Sequence, residues 1–388
     1  MKKTLAKILC LALACVMAVG CFVSCGDKEE AYVIGASGPV TGVAAVYGEA
    51  VRNAAQMAVD EINANGGLNG VEFKLVFLDD KHDAGNISTN YASLVEQGMQ
   101  VSLGTVTTAP GREFTKYSAQ DNVFFLTPSA TGDDIPGTAG NGFQMCFADG
   151  DQGKVAAEYV NSLFTGNKTI GILYNSADPY SKGIYDQFKA SLNANITTID
   201  AAFTDDKLAD FSGQINQLAS CDFVFMPIYY TPASTFMKQA KDTIAPNATY
   251  YGCDGLDGID GSIDGFNINE IPQEISMLSH FNSKATDGAA KAFIDKYVEK
   301  YGKDTLSQFG AAAYDCVYAI YGAMKNAIDS GKEIPTDITA SALCDILKAE
   351  FNGGFSYSGV TGSNITWSAN GKVQKDAVKY IVKAANAQ

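Results

Sequence analysis

Polar residues that could bind a small anion form two short runs in this chain, each directly after an apolar segment. The first run, 104–111, reads Gly-Thr-Val-Thr-Thr-Ala-Pro-Gly, and the second, 127–131, reads Thr-Pro-Ser-Ala-Thr. The first is expected to open a helix, with Thr108 or Ala109 as N-cap and Pro110 in the first turn. Backbone N–H groups and hydroxyls at a helix start favour an anion. The same hydroxyls are also ordinary capping and turn-forming groups, so a structural role stays open.

A strand–loop–helix pattern occupies residues 31–67. An apolar strand leads into a Gly- and Ser-rich loop that carries Tyr47, and an amphipathic helix ends at the Asn-Gly-Gly of 65–67. The apolar residues that share one face of this helix are Val51, Ala54, Ala55, Ala58, Val59 and Ile62. Such a loop lies at the carboxyl end of a parallel strand, where open α/β sheets bind ligands. It contains neither Gly-Lys-Ser/Thr nor Gly-x-Gly-x-x-Gly, so a nucleotide is not indicated.

Apolar strand segments alternate with segments of helical period over most of the chain. The strand candidates are 73–78, 101–103, 123–126, 143–147, 169–174, 196–203, 223–229 and 249–252. The helix candidates between them are 90–97, 111–120, 153–164, 182–192 and 234–243. Beyond residue 278 the pattern is mainly helical, at 289–301, 311–329 and 338–351, before strand-like segments at 365–367 and 378–382. This alternation predicts an α/β fold with parallel central sheets that are covered on both faces.

Three breaks in this alternation predict two Rossmann-like lobes joined by a hinge of three crossover segments. The expected N-terminal lobe comprises residues 31–148 plus 282–370, and the expected C-terminal lobe comprises 149–281 plus 371–388. After the leader described next, about 360 residues remain, a length that suits two domains.

The first residues predict export from the cytoplasm. Residues 1–24 combine three early lysines with a long apolar run, and the segment 25–30 is a Cys-initiated polar tether. This pattern resembles a bacterial lipoprotein signal peptide, in which the cysteine after the cleavage site carries the lipid. Cys25 is the favoured lipidation site because the polar tether follows it at once, and Cys21 is the alternative. The globular part is therefore expected outside the cytoplasm, anchored by lipid to the membrane.

Charge and cysteine usage exclude several classes of function. The chain has a formal net charge of −15 at pH 7, and its leader contributes only positive side chains, so the exported part is more acidic still. Such a surface repels nucleic acid and anionic lipid headgroups. The cysteines beyond the leader are Cys146, Cys221, Cys253, Cys316 and Cys344. Because their number is odd and none has Cys-x-x-Cys spacing, we expect buried free thiols and no metal or cofactor site.

A set of short motifs, spread over nearly the whole chain, identifies a family resemblance. In chain order they are Ser37-Gly38-Pro39-Val40, Tyr47-Gly48, Asp60-Glu61-Ile62-Asn63-Ala64-Asn65-Gly66-Gly67, Asp79-Asp80, Thr127-Pro128-Ser129-Ala130-Thr131, and Tyr229-Tyr230-Thr231 before Gln239-Ala240-Lys241. With these motifs the chain resembles type I periplasmic binding proteins, within them the leucine/isoleucine/valine-binding receptors of ABC transporters. The resemblance implies a monomer whose two lobes close on a small amino acid and then dock on a membrane permease.

The resemblance also implies a set of ligand-binding residues. The residues carried over are Tyr47, Thr108, Ser129, Ala130, Thr131, Tyr180, Tyr229, Asp254 and Phe309. Hydroxyls of the two polar runs would contact the carboxylate and ammonium of an amino acid, and Asp254 would pair with the ammonium. The aromatic rings would enclose the side chain, with Tyr230 as an alternative to Tyr229.

This sequence departs from the family pattern close to the expected site. Asp254 replaces a residue that is more often Glu, and its shorter side chain reaches less far. The resemblance implies a disulfide between two places that in this chain hold 81–83 (Lys-His-Asp) and Thr107, so that bridge is absent here. The loop before Tyr47 also carries an insertion at 42–46. The acid-glycine run that starts at Asp254 lacks the spacing of a calcium loop.

Catalysis finds little support in the sequence. His82 and His280 are far apart, and neither lies near a Ser or Cys nucleophile motif. His82 is expected to be solvated among charged neighbours, and His280 to lie near the hinge. We therefore expect a binding protein rather than a hydrolase, with a chemosensory receptor for an amide, aromatic acid or other small molecule as the alternative.

Overall fold

Two parallel-strand sheets with flanking helices form the computed structural model, which describes residues 30–261, 264–375 and 378–384. The strands are β1 (Ala31–Gly38), β2 (Glu72–Asp79), β3 (Val101–Thr105), β4 (Phe125–Thr127), β5 (Gly142–Gln144), β6 (Lys168–Asn175), β7 (Ile196–Phe203), β8 (Phe223–Met226), β9 (Thr249–Gly252), β10 (Glu274–Ser279), β11 (Thr366–Trp367), β12 (Val373–Gln374) and β13 (Val378–Lys383). The helices are α1 (Ala45–Ala64), α2 (Ile87–Glu96), α3 (Thr108–Asp121), α4 (Asp149–Leu163), α5 (Pro179–Ser191), α6 (Ser212–Leu218), α7 (Tyr230–Ala240), α8 (Gly288–Tyr301), α9 (Gln308–Asp329) and α10 (Ala340–Asn352).

The first sheet has the strand order β2-β1-β3-β4-β5. The pairings β1–β3, β3–β4 and β4–β5 are all parallel, and every residue of β3 is buried. Helix α1 packs against α9, a much later element, so the late helical part of the chain completes the core around this sheet. We call the first sheet and its helices the first lobe.

The second sheet has the order β13-β10-β9-β8-β6-β7, and helices α4 and α5 pack together beside it. Its pairings are parallel except that β13 runs antiparallel to β10. We call this sheet and its helices the second lobe. Strand β10, which the sequence pattern did not predict, pairs with β9 on one side and with the late strand β13 on the other.

The predicted strands and helices occur in the predicted order, while β10, β12 and α6 were not predicted and several boundaries differ. The predicted strands 196–203 and 249–252 match β7 and β9. The predicted strand 223–229 was too long, because Pro227 follows β8 and the N–H of Ile228 bonds back to Met226 in a turn. Tyr229, the last residue of the predicted strand, is instead the N-cap of helix α7.

The start of helix α3 differs from the prediction in a way that affects the site. Thr107, rather than Thr108 or Ala109, is the N-cap, and its hydroxyl makes no capping bond within the helix. Thr108 is therefore the first helical residue, with its side chain buried. The Thr107 hydroxyl is free to make a different contact, which is described below.

The cysteines, possible membrane spans and lipidation sites were also subjects of prediction. All five cysteines beyond the leader are buried as free thiols. Within the described ranges, no helix combines the length and apolar character needed to span a membrane. The predicted lipidation sites Cys25 and Cys21 lie outside the described residues, and the predicted lobe boundaries stay a prediction.

Candidate functional site

Strand ends and helix starts from both lobes surround one small chamber. The residues that line it are Tyr47, Val106, Thr107, Thr108, Ser129, Thr131, Tyr180, Tyr229, Asp254, Gly255 and Phe309. Eight of the nine sequence-predicted site residues therefore lie around one space. The free volume is only about 10 Å³, so the surrounding side chains are closed on one another. A ligand larger than a water molecule requires the two lobes to separate before it can enter.

Hydroxyl groups form the first-lobe side of the chamber. Thr108 stands at the N-terminus of α3, and Thr131 follows β4, with 3.4 Å between their Oγ1 atoms. Ser129 lies in the same run, where its backbone N–H bonds to the Thr127 hydroxyl at 3.3 Å. Thr127 thus fixes the loop, while the hydroxyl-bearing residues Thr108, Ser129 and Thr131 line the chamber. These hydroxyls at a positive helix end suit an anionic group.

Ala130 is the predicted site residue that does not line the chamber. Its methyl group is buried in a separate cluster that includes Ile135, and its carbonyl accepts a hydrogen bond from Gln144 at 2.9 Å. Its N–H bonds to the Thr127 hydroxyl at 3.0 Å. Ala130 therefore supports the polar loop from behind.

Asp254 is the acidic group of the chamber, and only 2% of its surface is exposed. It follows β9, and its Oδ1 accepts a hydrogen bond from the Tyr180 hydroxyl at 2.9 Å. Its backbone N–H donates to Gln152 at 3.1 Å, while the N–H of Gly255 donates to the same Tyr180 oxygen at 2.8 Å. The second carboxylate oxygen, Oδ2, makes no close hydrogen bond within the described ranges. Burial raises the pKa of Asp254 to about 7, against the opposing effect of the Tyr180 bond.

Four aromatic rings form the remaining walls. Tyr180 and Tyr229 of the second lobe are stacked, with ring centroids 4.7 Å apart and planes at 12°. From the first lobe, Tyr47 meets Phe309 edge to face at 4.9 Å. The Tyr47 hydroxyl donates to the carbonyl of Gly255 at 2.5 Å and so links the lobes. These rings provide an apolar enclosure with few rotatable bonds.

Tyr230, the alternative to Tyr229, lies outside the chamber lining. Its ring packs edge to face on Tyr47 at 5.0 Å, and its hydroxyl accepts from the N–H of Val46 at 3.3 Å. Because Val46 belongs to the inserted loop, this insertion contacts the second lobe at the margin of the chamber. Tyr230 thus positions a wall residue, while Tyr229 forms the wall.

Sequence reasoning missed a second buried acid near the chamber. Asp149 begins helix α4, is only 1% exposed, and donates its backbone N–H to the carbonyl of Thr131 at 2.7 Å. Burial raises the pKa of the Asp149 carboxyl well above its usual value. The sequence feature that could have indicated Asp149 is its position at the first break in the strand–helix alternation. Asp149 does not line the chamber, but it is linked to the chamber wall through its bond to Thr131.

His82, which was expected to be solvated among charged neighbours, is half-buried and contacts both lobes. Its Nδ1 lies 3.0 Å from the Thr107 hydroxyl, and its ring meets Tyr229 edge to face at 5.4 Å. Burial lowers the pKa of His82, with nearby Asp205 and Asp83 opposing that effect. His280, in contrast, is buried and packs edge to face on Phe147 at 5.2 Å, close to the predicted hinge.

The chamber offers three chemical features and no metal site. A buried carboxylate can pair with a cation, hydroxyls near a helix start can bind an anion, and aromatic walls can enclose an apolar group. No cluster of three or more His, Cys, Asp or Glu side chains in the described ranges is arranged to hold a metal ion. This set of groups matches a zwitterion with an apolar side chain.

Comparison with known proteins agrees with this architecture. The sequence model of a family described as periplasmic binding proteins matches residues 31–387. Leu/Ile/Val-binding protein BraC3 of Rhizobium johnstonii is 35% identical over 323 residues, which cover 79% of this chain and 85% of that protein. The leucine-, isoleucine-, valine-, threonine- and alanine-binding protein of Pseudomonas aeruginosa is 27% identical, over 82% of this chain and 84% of that protein.

A solved structure shows the same fold over nearly the whole chain. LivJ, a branched-chain amino acid transporter substrate-binding protein of Streptococcus pneumoniae crystallised with isoleucine, superposes with a TM-score of 0.78 at 25% identity. The match covers 92% of this chain and 97% of LivJ. The two-lobed fold with a chamber between the lobes defines a class of ligand-binding proteins. The chain belongs to the periplasmic binding protein family, as its sequence resemblance predicted.

Replacing Tyr180 by Phe should destabilise the ligand-free protein. The change removes the hydroxyl that donates to Asp254 and accepts from Gly255, which leaves buried polar groups unpaired. We expect the free energy of unfolding in urea to fall by about 1–3 kcal/mol.

Tyr251→Phe is the matched control for this substitution. Tyr251 is equally buried, but its hydroxyl has no hydrogen-bond partner in the part of the chain that the structure describes. Its removal should change the unfolding free energy by less than about 0.5 kcal/mol. Equal losses in the two variants would show that the Tyr180 hydroxyl makes no specific contribution.

Proposed function

We propose that this protein is the extracytoplasmic substrate-binding component of an ABC importer and binds a small apolar amino acid in the chamber. The observation that carries the proposal is the opposition of Asp254 to the hydroxyls of Thr108, Ser129 and Thr131 across one closed space. An amino acid presents an ammonium and a carboxylate on one carbon, so it needs both kinds of partner close together. The acidic groups also disfavour a ligand that carries only negative charge.

In the proposed complex each group of the chamber has a distinct role. Asp254 accepts a charge-assisted hydrogen bond from the ammonium through Oδ2, since Oδ1 is already bonded to Tyr180. The hydroxyls of Thr108 and Ser129 donate to the carboxylate. The rings of Tyr47 and Phe309, together with Tyr180 and Tyr229, enclose the side chain. Asp254 is shorter than the usual Glu, so the ammonium lies nearer to the second lobe.

The relatives support a branched-chain or other small apolar side chain. BraC3 is named a Leu/Ile/Val-binding protein, and LivJ was crystallised with isoleucine. The Pseudomonas relative is named for leucine, isoleucine, valine, threonine and alanine. The aromatic walls suit such ligands because they offer apolar surface. They contain no charged group that could pair with a charged side chain of the ligand.

Closure of two lobes is the proposed working motion. The closing bodies are residues 31–148 plus 282–370 and residues 149–281 plus 371–388, joined by the three crossovers. A ligand that contacts both bodies has a higher affinity for the closed state, so it shifts the population toward closure. The closed form would then be the one that the permease subunits recognise, with the protein acting as a monomer.

Titration calorimetry of the purified protein with free amino acids is the experiment that tests this function. Any ligand carried through purification is first removed by partial unfolding and refolding. We expect saturable binding of leucine, isoleucine or valine, and a ligand at about 100 times its Kd should add roughly 2.7 kcal/mol to stability. If no amino acid binds, this proposal is wrong and the chemosensory alternative gains weight.

Replacing Asp254 by Asn should weaken amino-acid binding and reduce its pH dependence. The ammonium pairs with the carboxylate form of Asp254, so wild-type affinity should fall by up to about tenfold per pH unit as the pH drops through about 7. At pH 8 the variant should bind about 100-fold more weakly, because the ammonium loses its charged partner. Calorimetry between pH 5.5 and 8 measures both effects.

Asp257→Asn is the control for this pH profile. Burial also raises the pKa of Asp257 to about 7, but its carboxylate accepts the N–H of Gln308 at 2.7 Å and does not line the chamber. The wild-type pH profile should persist in this variant. If Asp254→Asn keeps the wild-type affinity and profile, Asp254 is not the ammonium partner.

The same proposal includes a lipid anchor outside the described residues. Residues 1–24 would be removed as a signal peptide, and Cys25 would become the lipidated first residue of the tether 25–30. Metabolic labelling with a fatty-acid analogue in a bacterial host should label the wild type and Cys21→Ser, but not Cys25→Ser. The reverse pattern would assign the lipid to Cys21, and an unlabelled wild type would exclude the anchor.

A further inference from the structure

We propose that His82 is a ligand-positioning residue that contacts both lobes and holds the chamber in its binding geometry. This inference rests on the proposed function of the chamber. His82 does not line the chamber itself. It acts through Thr107 of the first lobe and Tyr229 of the second lobe, which do line it.

The backbone at His82 has an uncommon conformation. His82 has a φ of 61° and the preceding Lys81 a φ of 58°, so two successive residues with side chains occupy the left-handed region. Residues other than glycine seldom adopt this conformation, although asparagine, aspartate and histidine do so more often than most, and it costs free energy. Conformations of this kind persist where the surrounding structure imposes them, and they are concentrated at functional sites.

Two carboxylates impose this conformation on the loop after β2. Asp79 accepts the backbone N–H of Lys81 at 2.9 Å and that of Val40 at 3.0 Å. Asp80, which is completely buried, accepts the N–H of His82 at 2.9 Å and the hydroxyl of Ser37 at 3.1 Å. These bonds tie the left-handed pair to the end of the first sheet. The His82 ring is thereby directed toward the second lobe, where it meets Tyr229.

The His82 ring connects groups that belong to different lobes. On the first-lobe side, its Nδ1 lies 3.0 Å from the Thr107 hydroxyl, at the N-cap of α3 and next to Thr108. On the second-lobe side, it meets Tyr229 edge to face, and Tyr229 stacks on Tyr180, which holds Asp254. The His82 ring therefore holds Thr107, which lies beside the residues expected to bind the carboxylate. It also holds Tyr229, which stacks on the tyrosine that bonds to the expected ammonium partner, Asp254.

The two contacts of His82 join segments that are far apart in the sequence. The hydrogen bond between His82 and Thr107 connects the loop after β2 with the start of α3, and the imidazole adds a contact to Tyr229 of the second lobe. Affinity for the ligand is thus coupled to a side chain outside the chamber lining.

The experiment compares His82→Asn with Lys81→Asn in the full chain, with L-leucine, L-isoleucine and L-valine as calorimetric probes. Asparagine adopts the left-handed conformation readily but lacks the imidazole ring. His82→Asn should weaken binding about tenfold or more, since it loses a ring contact and a hydrogen bond. The left-handed backbone favours asparagine, which offsets the loss of the bond between His82 and Thr107, so the melting temperature of the ligand-free variant should change by less than about 2 °C. A residue with only a structural role would lower stability together with affinity.

Lys81→Asn is the matched control because Lys81 has the same backbone conformation and an exposed side chain. It should keep wild-type affinity and show an equal or higher melting temperature. His82→Phe should recover part of the affinity, because the ring against Tyr229 is retained while the bond to Thr107 is lost.

The possible outcomes separate this inference from the proposed function. If the wild type binds a probe and His82→Asn binds it equally well, the positioning role is wrong while the proposed function stands. If affinity and melting temperature fall together in His82→Asn, or if Lys81→Asn loses as much affinity, His82 has only a structural role. A wild type that binds no probe overturns the proposed function and this inference with it.

Discussion

The buried carboxylate of Asp254 is the constraint on which the architecture of the chamber depends. A charged carboxylate removed from water must be compensated by hydrogen bonds or by an opposite charge, or it becomes protonated. The Tyr180 hydroxyl donates to Oδ1, while Oδ2 has no close bond in the described ranges. The pKa is raised to about 7 as a result. A cation in the chamber would complete the compensation, so the closed state and a cationic group stabilise each other.

The aromatic walls are important because they keep this carboxylate dry. Tyr180 serves both purposes, since its hydroxyl bonds to Asp254 and its ring stacks on Tyr229. Tyr47 extends the enclosure from the other lobe and bonds to the carbonyl of Gly255, directly after the acid. Electrostatic interactions strengthen as water is excluded, so apolar closure and charge pairing act in the same direction.

Sequence reasoning could predict the fold and most of the lining for identifiable reasons. The period of apolar residues predicted the order of strands and helices. The carboxyl ends of parallel strands lie on one edge of the sheet, so the runs at 104–111 and 127–131 were expected to lie close together. Strand β7, whose first four residues are all β-branched, matched the prediction residue by residue. The assignment of Asp254 depended on the family resemblance, because its surroundings in sequence, an acid-glycine run, indicate only turns.

What sequence reasoning could not predict depends on contacts between distant segments. Strand β10 forms because it pairs with β9 and with β13, which lies about a hundred residues later in the chain. The Thr107 hydroxyl leaves the usual capping role because an imidazole from another loop bonds to it. No local pattern marks a left-handed histidine, since propensity predicts glycine or asparagine at such a position. The bond from the backbone N–H of His82 to Asp80 holds this conformation, and the ring then contacts the opposite lobe, so the departure from the local rule coincides with a contact between the lobes.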